Sequence, residues 1–188
     1  MFKVENEAEK QTLIAGLYKD IMDILEIEET PDNADTPNRV AKALLEMTRT
    51  TRKETVKELM DVCTTFENHS HGILLEQDDI EFSSMCSHHH LPFFGKVKIT
   101  YVAGDHILGL SKFNRIVEWF SNKPQVQEDM TMEIGVFLAG LLSPQYLKVE
   151  LYDCMHSCMC SRGVKSRATT KTVFEYGGLK KQINVLNG

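Results

Sequence analysis

Two short segments of this chain concentrate side chains that bind metals and move protons. One is Cys86-Ser87-His88-His89-His90 and the other is His156-Ser157-Cys158-Met159-Cys160. Thiolate sulfur and imidazole nitrogen are ligands that Zn2+ prefers, and a catalytic zinc site uses three protein ligands and keeps a further position for water. Two separated Cys/His clusters suit such a site if the fold brings them together. They do not match a zinc finger, which needs paired ligands at each end. The competing reading is of small buried thiols beside strands and a surface run of histidines. Spacing alone leaves both open. The cysteines, Cys63, Cys86, Cys154, Cys158 and Cys160, are odd in number, and three lie within residues 154–160. That pattern favours thiols or metal ligands over a disulfide framework.

A second kind of chemistry lies between the clusters. Gly109-Leu110-Ser111-Lys112 leads into a helical pattern that also carries Arg115, and Arg162 follows the second cluster. A helix N-terminus flanked by Lys and Arg suits a phosphate, and Ser111 is expected to cap that helix. The alternative is a solvated basic face. Gln127-Glu128 opens the next helical stretch. Its carboxylate can accept two adjacent N–H donors, as the amide edge of guanine offers, or simply face the helix dipole.

These segments need elements to hold them. Residues 5–26 read as an amphipathic helix with Leu13, Ile14, Leu17, Ile21 and Leu25 at helical spacing. A second helix is expected from Thr36-Pro37, with Thr36 as cap and Pro37 at the first helical position. A shorter helix is expected at 53–62, and 64–72 reads as loop. Strands are expected at 73–82, 94–103, 147–154 and 168–176, and helices at 111–122 and 126–142, broken at Asn122-Lys123-Pro124. The result is an α+β chain, with an N-terminal helical region at 1–63 and a catalytic domain at 64–188. The 188 residues carry a net charge of -6. That argues against a general nucleic-acid binder but allows a small anion in a local basic pocket. No run reaches the ~18 apolar residues of a membrane span. The opening MFKVENEAEK lacks a signal-peptide layout, so a cytoplasmic location is expected.

In order along the chain, five motifs resemble those of the GTP cyclohydrolase I family. They are Thr36-Pro37-Asn38-Arg39-Val40-Ala41-Lys42, Ser84-Met85-Cys86-Ser87-His88-His89, Gly109 to Val117, Lys123-Pro124-Gln125-Val126-Gln127-Glu128, and His156-Ser157-Cys158-Met159 with Arg162-Gly163-Val164. The resemblance spans roughly residues 10–178. It implies the tunnelling fold, a ββααββ antiparallel sheet with two helices, assembled into a ring that is usually a homodecamer. It implies hydrolysis of GTP to 7,8-dihydroneopterin triphosphate and formate, the first step of pterin, folate or deazaguanine biosynthesis. Cys86, His89 and Cys158 would bind Zn2+, and His88 and His156 would be the acid/base residues. Glu128, helped by Gln127, would hold the guanine edge, and Ser111 would touch the ribose. Lys112, Arg115 and Arg162 would hold the triphosphate, joined by Arg39 from a neighbouring subunit. Some positions depart from the family pattern. Ser87 replaces a usual Glu, Lys123 a usual Arg, His90 and Cys160 are unusual, and the sequence after Gly178 lacks the usual final helix signature.

Overall fold

The computed structural model describes residues 4, 6–51 and 56–177. The chain divides into two compact units, Met1–Arg49 and Thr50–Gly188. In the first, α1 (Glu7–Ile24) begins where the Asn6 side chain accepts the Glu9 N–H at 2.7 Å. Helix α2 (Thr36–Met47) carries Pro37 in its first turn, but its cap residue is Asp35 rather than Thr36. Pro37 has no N–H to satisfy, so the start tolerates a cap without a side-chain bond. Among the described residues of this unit Ala15, Met22 and Ala41 are the buried ones, while Leu13, Leu17, Ile21 and Leu25 stay exposed. The C-terminal stretch after Gly177 and part of the expected 53–62 helix lie outside the described residues.

The second unit runs α3 (Val56–Val62), β1 (Thr65–Glu67), β2 (Leu74–Cys86), β3 (Pro92–Val102), β4 (His106–Leu108), α4 (Leu110–Ser121), β5 (Pro124–Gln125), α5 (Gln127–Leu142), β6 (Tyr146–His156), α6 (Ser157–Cys160) and β7 (Thr170–Gly177). The main sheet has the order β5-β2-β3-β6-β7, and β1 pairs with β4 separately. Pairing is antiparallel throughout except for β2 with β5. The long elements β2-β3-α4-α5-β6-β7 thus form the expected ββααββ unit. One sheet face buries Val97, Ile99, Leu147, Val149 and Leu151 together with Phe113, Ile116, Ile134 and Leu138 of the two helices. The other face is polar, with Lys98 paired to Glu76 at 2.7 Å and buried Glu150 paired to Lys148 and Lys171 at 3.0 and 2.5 Å.

Two strands change phase on their way to the chemical end of this sheet. In β2, Leu75 and Gln77 face inward, then the register slips between Gln77 and Ile80, and Ile80, Phe82, Ser84 and Cys86 are buried. In β6, Leu147, Val149 and Leu151 are buried, the register slips between Leu151 and Cys154, and Cys154 is buried next. Each slip holds an aspartate in the left-handed region, Asp79 at φ 57 and Asp153 at φ 50. One extra residue in a strand moves every later side chain to the opposite face. The two bulges are tied across the polar face, where the Tyr152 hydroxyl donates to Asp78 at 2.7 Å and Lys96 donates to Asp79 at 2.6 Å.

Candidate metal centre and active site

Cys86 is the last residue of β2 and is buried. The five residues after it make a tight connection to β3: Cys86 N donates to Leu91 O at 2.9 Å and His90 N to Cys86 O at 2.8 Å. His90 takes φ 52, a left-handed conformation that His adopts more readily than most residues. The turn holds His88 with Nδ1 3.8 Å from the Cys86 sulfur. Cys158 sits on α6, a single turn that follows β6 directly. Ligand atoms of Cys86, His89 and Cys158 all lie within 4.8 Å of one another. Atoms ~2.0–2.3 Å from a common ion at tetrahedral angles are separated by roughly 3.5–3.8 Å, so small side-chain adjustments would seat one cation. Burial pushes the Cys158 thiol pKa up, and the neighbouring Cys86 pushes it further. A cation between the sulfurs would relieve that penalty. Donor type, number and spacing therefore fit a metal with soft ligands.

His156 stands beside this group at the end of β6. Its ring stacks on Phe93, with centroids 4.7 Å apart and planes 2° from parallel. Its Nε2 lies 3.0 Å from Gln127 Oε1. Gln127 is buried, and its amide nitrogen donates to Thr172 Oγ1 at 3.0 Å. Burial lowers the His156 pKa from its ordinary value, and the nearby Glu128 carboxylate offsets part of that. Glu128 is exposed in the first turn of α5. Arg162 is placed with a guanidinium nitrogen 2.8 Å from His89 Nε2.

The remaining expected residues are more spread out. Ser111, Lys112 and Arg115 lie on the first two turns of α4, with Ser111 and Arg115 exposed. The cap of that helix is Gly109, with no side-chain cap bond, so Ser111 is a helical residue rather than the cap. Arg39 belongs to the first unit, on α2, where it pairs with Asp35 at 3.2 Å. Ser87 is exposed and donates its backbone N–H to Gln125 O at 3.0 Å. Lys123 pairs with Glu133 of α5. Sequence patterns did not mark Phe93 beside His156, nor Thr131 and Thr172 behind Gln127. No local pattern marks them, because register and helix packing alone bring them in.

An antiparallel ββααββ unit with a Cys–His–Cys group at one end of its sheet is a tunnelling-fold arrangement. The sequence pattern of the GTP cyclohydrolase I family matches residues 14–187. The match continues past Gly178, where the motif reading had it end. GTP cyclohydrolase 1 of Saccharomyces cerevisiae is 34% identical over 178 residues, covering 94% of this chain and 72% of the relative. GTP cyclohydrolase 1 of Parabacteroides distasonis is 33% identical, covering 94% of this chain and 92% of that protein. Among solved structures, the archaeosine synthase QueF-Like in its apo form aligns with 56% of this chain and 95% of its own at a TM-score of 0.46 and 17% identity. The chain belongs to the GTP cyclohydrolase I family. None of its described helices is long and apolar enough to cross a membrane.

Proposed function

We propose that this chain hydrolyses GTP to 7,8-dihydroneopterin triphosphate and formate, with Zn2+ held by Cys86, His89 and Cys158. The observation that carries the reading is the convergence of those three donors beside a half-buried histidine and an acidic helix start. When bound, Zn2+ is a Lewis acid that lowers the pKa of water toward about 7.

The side chains of the chain supply the rest. Glu128 accepts the ring N–H and exocyclic N–H of guanine. A base without that donor pair leaves the carboxylate unpaired, which is the basis of selection. Gln127, its side chain committed to His156 and Thr172, supports that edge from the same first turn. Ser111 contacts the ribose. Lys112, Arg115 and Arg162 neutralise the triphosphate, with Arg39 contributed by an adjacent copy. Water adds at C8, a C8–N bond breaks, and a second water releases C8 as formate. Each departing nitrogen takes a proton, and His88 and His156 deliver and recover those protons. His156, with its pKa lowered by burial, is mostly neutral near pH 7 and so ready to accept one. The ribose then opens, rearranges and closes on the freed amine.

Ring assembly, as a homodecamer, accounts for Arg39 and for the sheet edges at β7 and along the part of β2 that the two-residue β5 leaves uncovered. A cytoplasmic setting, where thiols stay reduced, suits five cysteines that are all free. The test is to incubate zinc-loaded protein with GTP and read the fluorescence of the oxidised neopterin product. Product that disappears with chelator and returns with zinc supports the reading. GTP binding without product overturns it.

A further inference from the structure

A chain of hydrogen bonds behind His156 has only one consistent direction. Thr131 Oγ1 donates to the Gln127 backbone carbonyl at 2.8 Å, one helical turn back on α5. A hydroxyl has one hydrogen to donate. In the 2.6 Å contact between Thr131 and Thr172 hydroxyls, Thr172 must therefore be the donor. Its own hydrogen is then committed, so toward Gln127 it can only accept. The Gln127 amide must present its NH2 group to Thr172, at 3.0 Å, and its carbonyl oxygen to His156 Nε2, also at 3.0 Å. An amide oxygen only accepts. His156 Nε2 must carry a hydrogen.

We propose that Thr131, Thr172 and Gln127 are positioning residues that hold neutral His156 in its Nε2–H tautomer, leaving Nδ1 as the atom that exchanges protons. The relay also accommodates the imidazolium, which carries hydrogen on both nitrogens, so it does not oppose proton uptake. It opposes only the Nδ1–H tautomer, in which an Nε2 lone pair would face the Gln127 oxygen. Phe93 stacking fixes the ring plane, and the relay fixes which nitrogen faces which way. Thr131 and Gln127 are buried, so water does not compete for these bonds. The elements involved come from α5, β6 and β7, and the relay has no part in holding the metal.

The proposal deepens the assignment of His156 as a proton carrier and rests on it, but its first readout does not require turnover. Full-length, zinc-loaded protein carrying 15N-histidine is examined by NMR at mildly alkaline pH, with the His156 signal identified by its loss in His156→Asn. Long-range couplings and nitrogen shifts report which nitrogen bears hydrogen. The expected result is hydrogen on Nε2, and hydrogen on Nδ1 overturns the proposal whatever the enzyme's activity. Thr172→Val keeps the shape and removes the acceptor that orients the amide. A tautomer mixture and a kcat lower by about 10-fold, with KM for GTP little changed, are expected there, and Thr172→Ser should restore both. A pure Nε2–H signal and unchanged kcat in Thr172→Val would remove Thr172 from the relay. Failure of GTP turnover in the wild type, with the tautomer as expected, would sink the assigned reaction and leave the relay standing.

Discussion

Gly95→Ala tests the bulge that turns the end of β6 inward. Gly95 lies in β3 opposite the slip around Asp153, between the pairs Phe94↔Met155 and Lys96↔Tyr152. A Cβ there would sit 2.7 Å from the Cys154 sulfur, 2.8 Å from the Tyr152 carbonyl oxygen and 3.0 Å from Cys154 Cα. Ordinary contacts begin near 3.4 Å, so the shortfall is roughly 0.4–0.7 Å. Two of the three atoms are main chain and cannot rotate away. The strands must part locally, which stretches ladder bonds and overpacks a buried spot. Such strain costs about 3 kcal/mol, or a melting temperature lower by about 6–12 °C in a chain of this size. Gly140→Ala is the matched control. Nothing lies within 4 Å of its added Cβ, and it sits within α5. Alanine is the better helix former by about 1 kcal/mol, so this variant should melt slightly higher. Thermal unfolding followed by circular dichroism at equal protein concentration reads both. A Gly95→Ala protein melting within about 2 °C of the parent would refute the bulge argument, as would a similar loss in Gly140→Ala.

Cys158→Ala should lose bound zinc and activity together, measured by metal analysis after gel filtration, and full occupancy would remove Cys158 from the ligand set. Glu128→Ala should weaken GTP binding by about 2 kcal/mol, roughly 30-fold, with zinc content unchanged; equal affinity by calorimetry would sink its role. Burial pushes Glu150 up, but Lys171 and Lys148 outweigh it and hold its carboxyl below the ordinary 4.5. A depressed folded pKa gives stability that is present above the unfolded value and lost as pH falls through the folded one. Glu150→Gln should therefore be less stable than the parent at neutral pH and converge with it on acidification, read as urea midpoints across a pH series.

Much of the architecture is written locally in the sequence. The strands and helices of the ββααββ unit announce themselves through alternation and helical spacing. Their chemical ends do not. The first and third expected strands end at residues 82 and 154, whereas β2 reaches Cys86 and β6 reaches His156. Beyond those points come Ser83-Ser84-Met85-Cys86 and Met155-His156, which carry no apolar alternation, and the bulges that decide which of them face inward leave no local mark. The three-residue ladder of β1 with β4 joins segments about forty positions apart and leaves no local mark. The grouping of Cys86, His89 and Cys158 was readable through motif order, although spacing alone left buried thiols as a close competing reading. Thr131 and Thr172, separated by 41 positions, were invisible because a hydroxyl's partner depends on register and not on its neighbours in sequence.

The two-residue strand β5 has a consequence larger than its length. Met85 pairs with Pro124 and Cys86 with Gln125, and the Gln125 side chain donates to Ser84 Oγ and Phe120 O at 2.9 and 2.6 Å. Gln127 and Glu128 begin α5 immediately afterwards. Cys86 and Glu128, the residues proposed for metal binding and base recognition, are thereby mounted on one backbone clasp, with Gln125 three positions before Glu128. Side chains around the clasp, such as exposed Ser87, can change without altering the main-chain pairing that sets the reach between the two. Under the proposed roles, metal chemistry and base recognition share one main-chain support, so a shift of the clasp moves both at once.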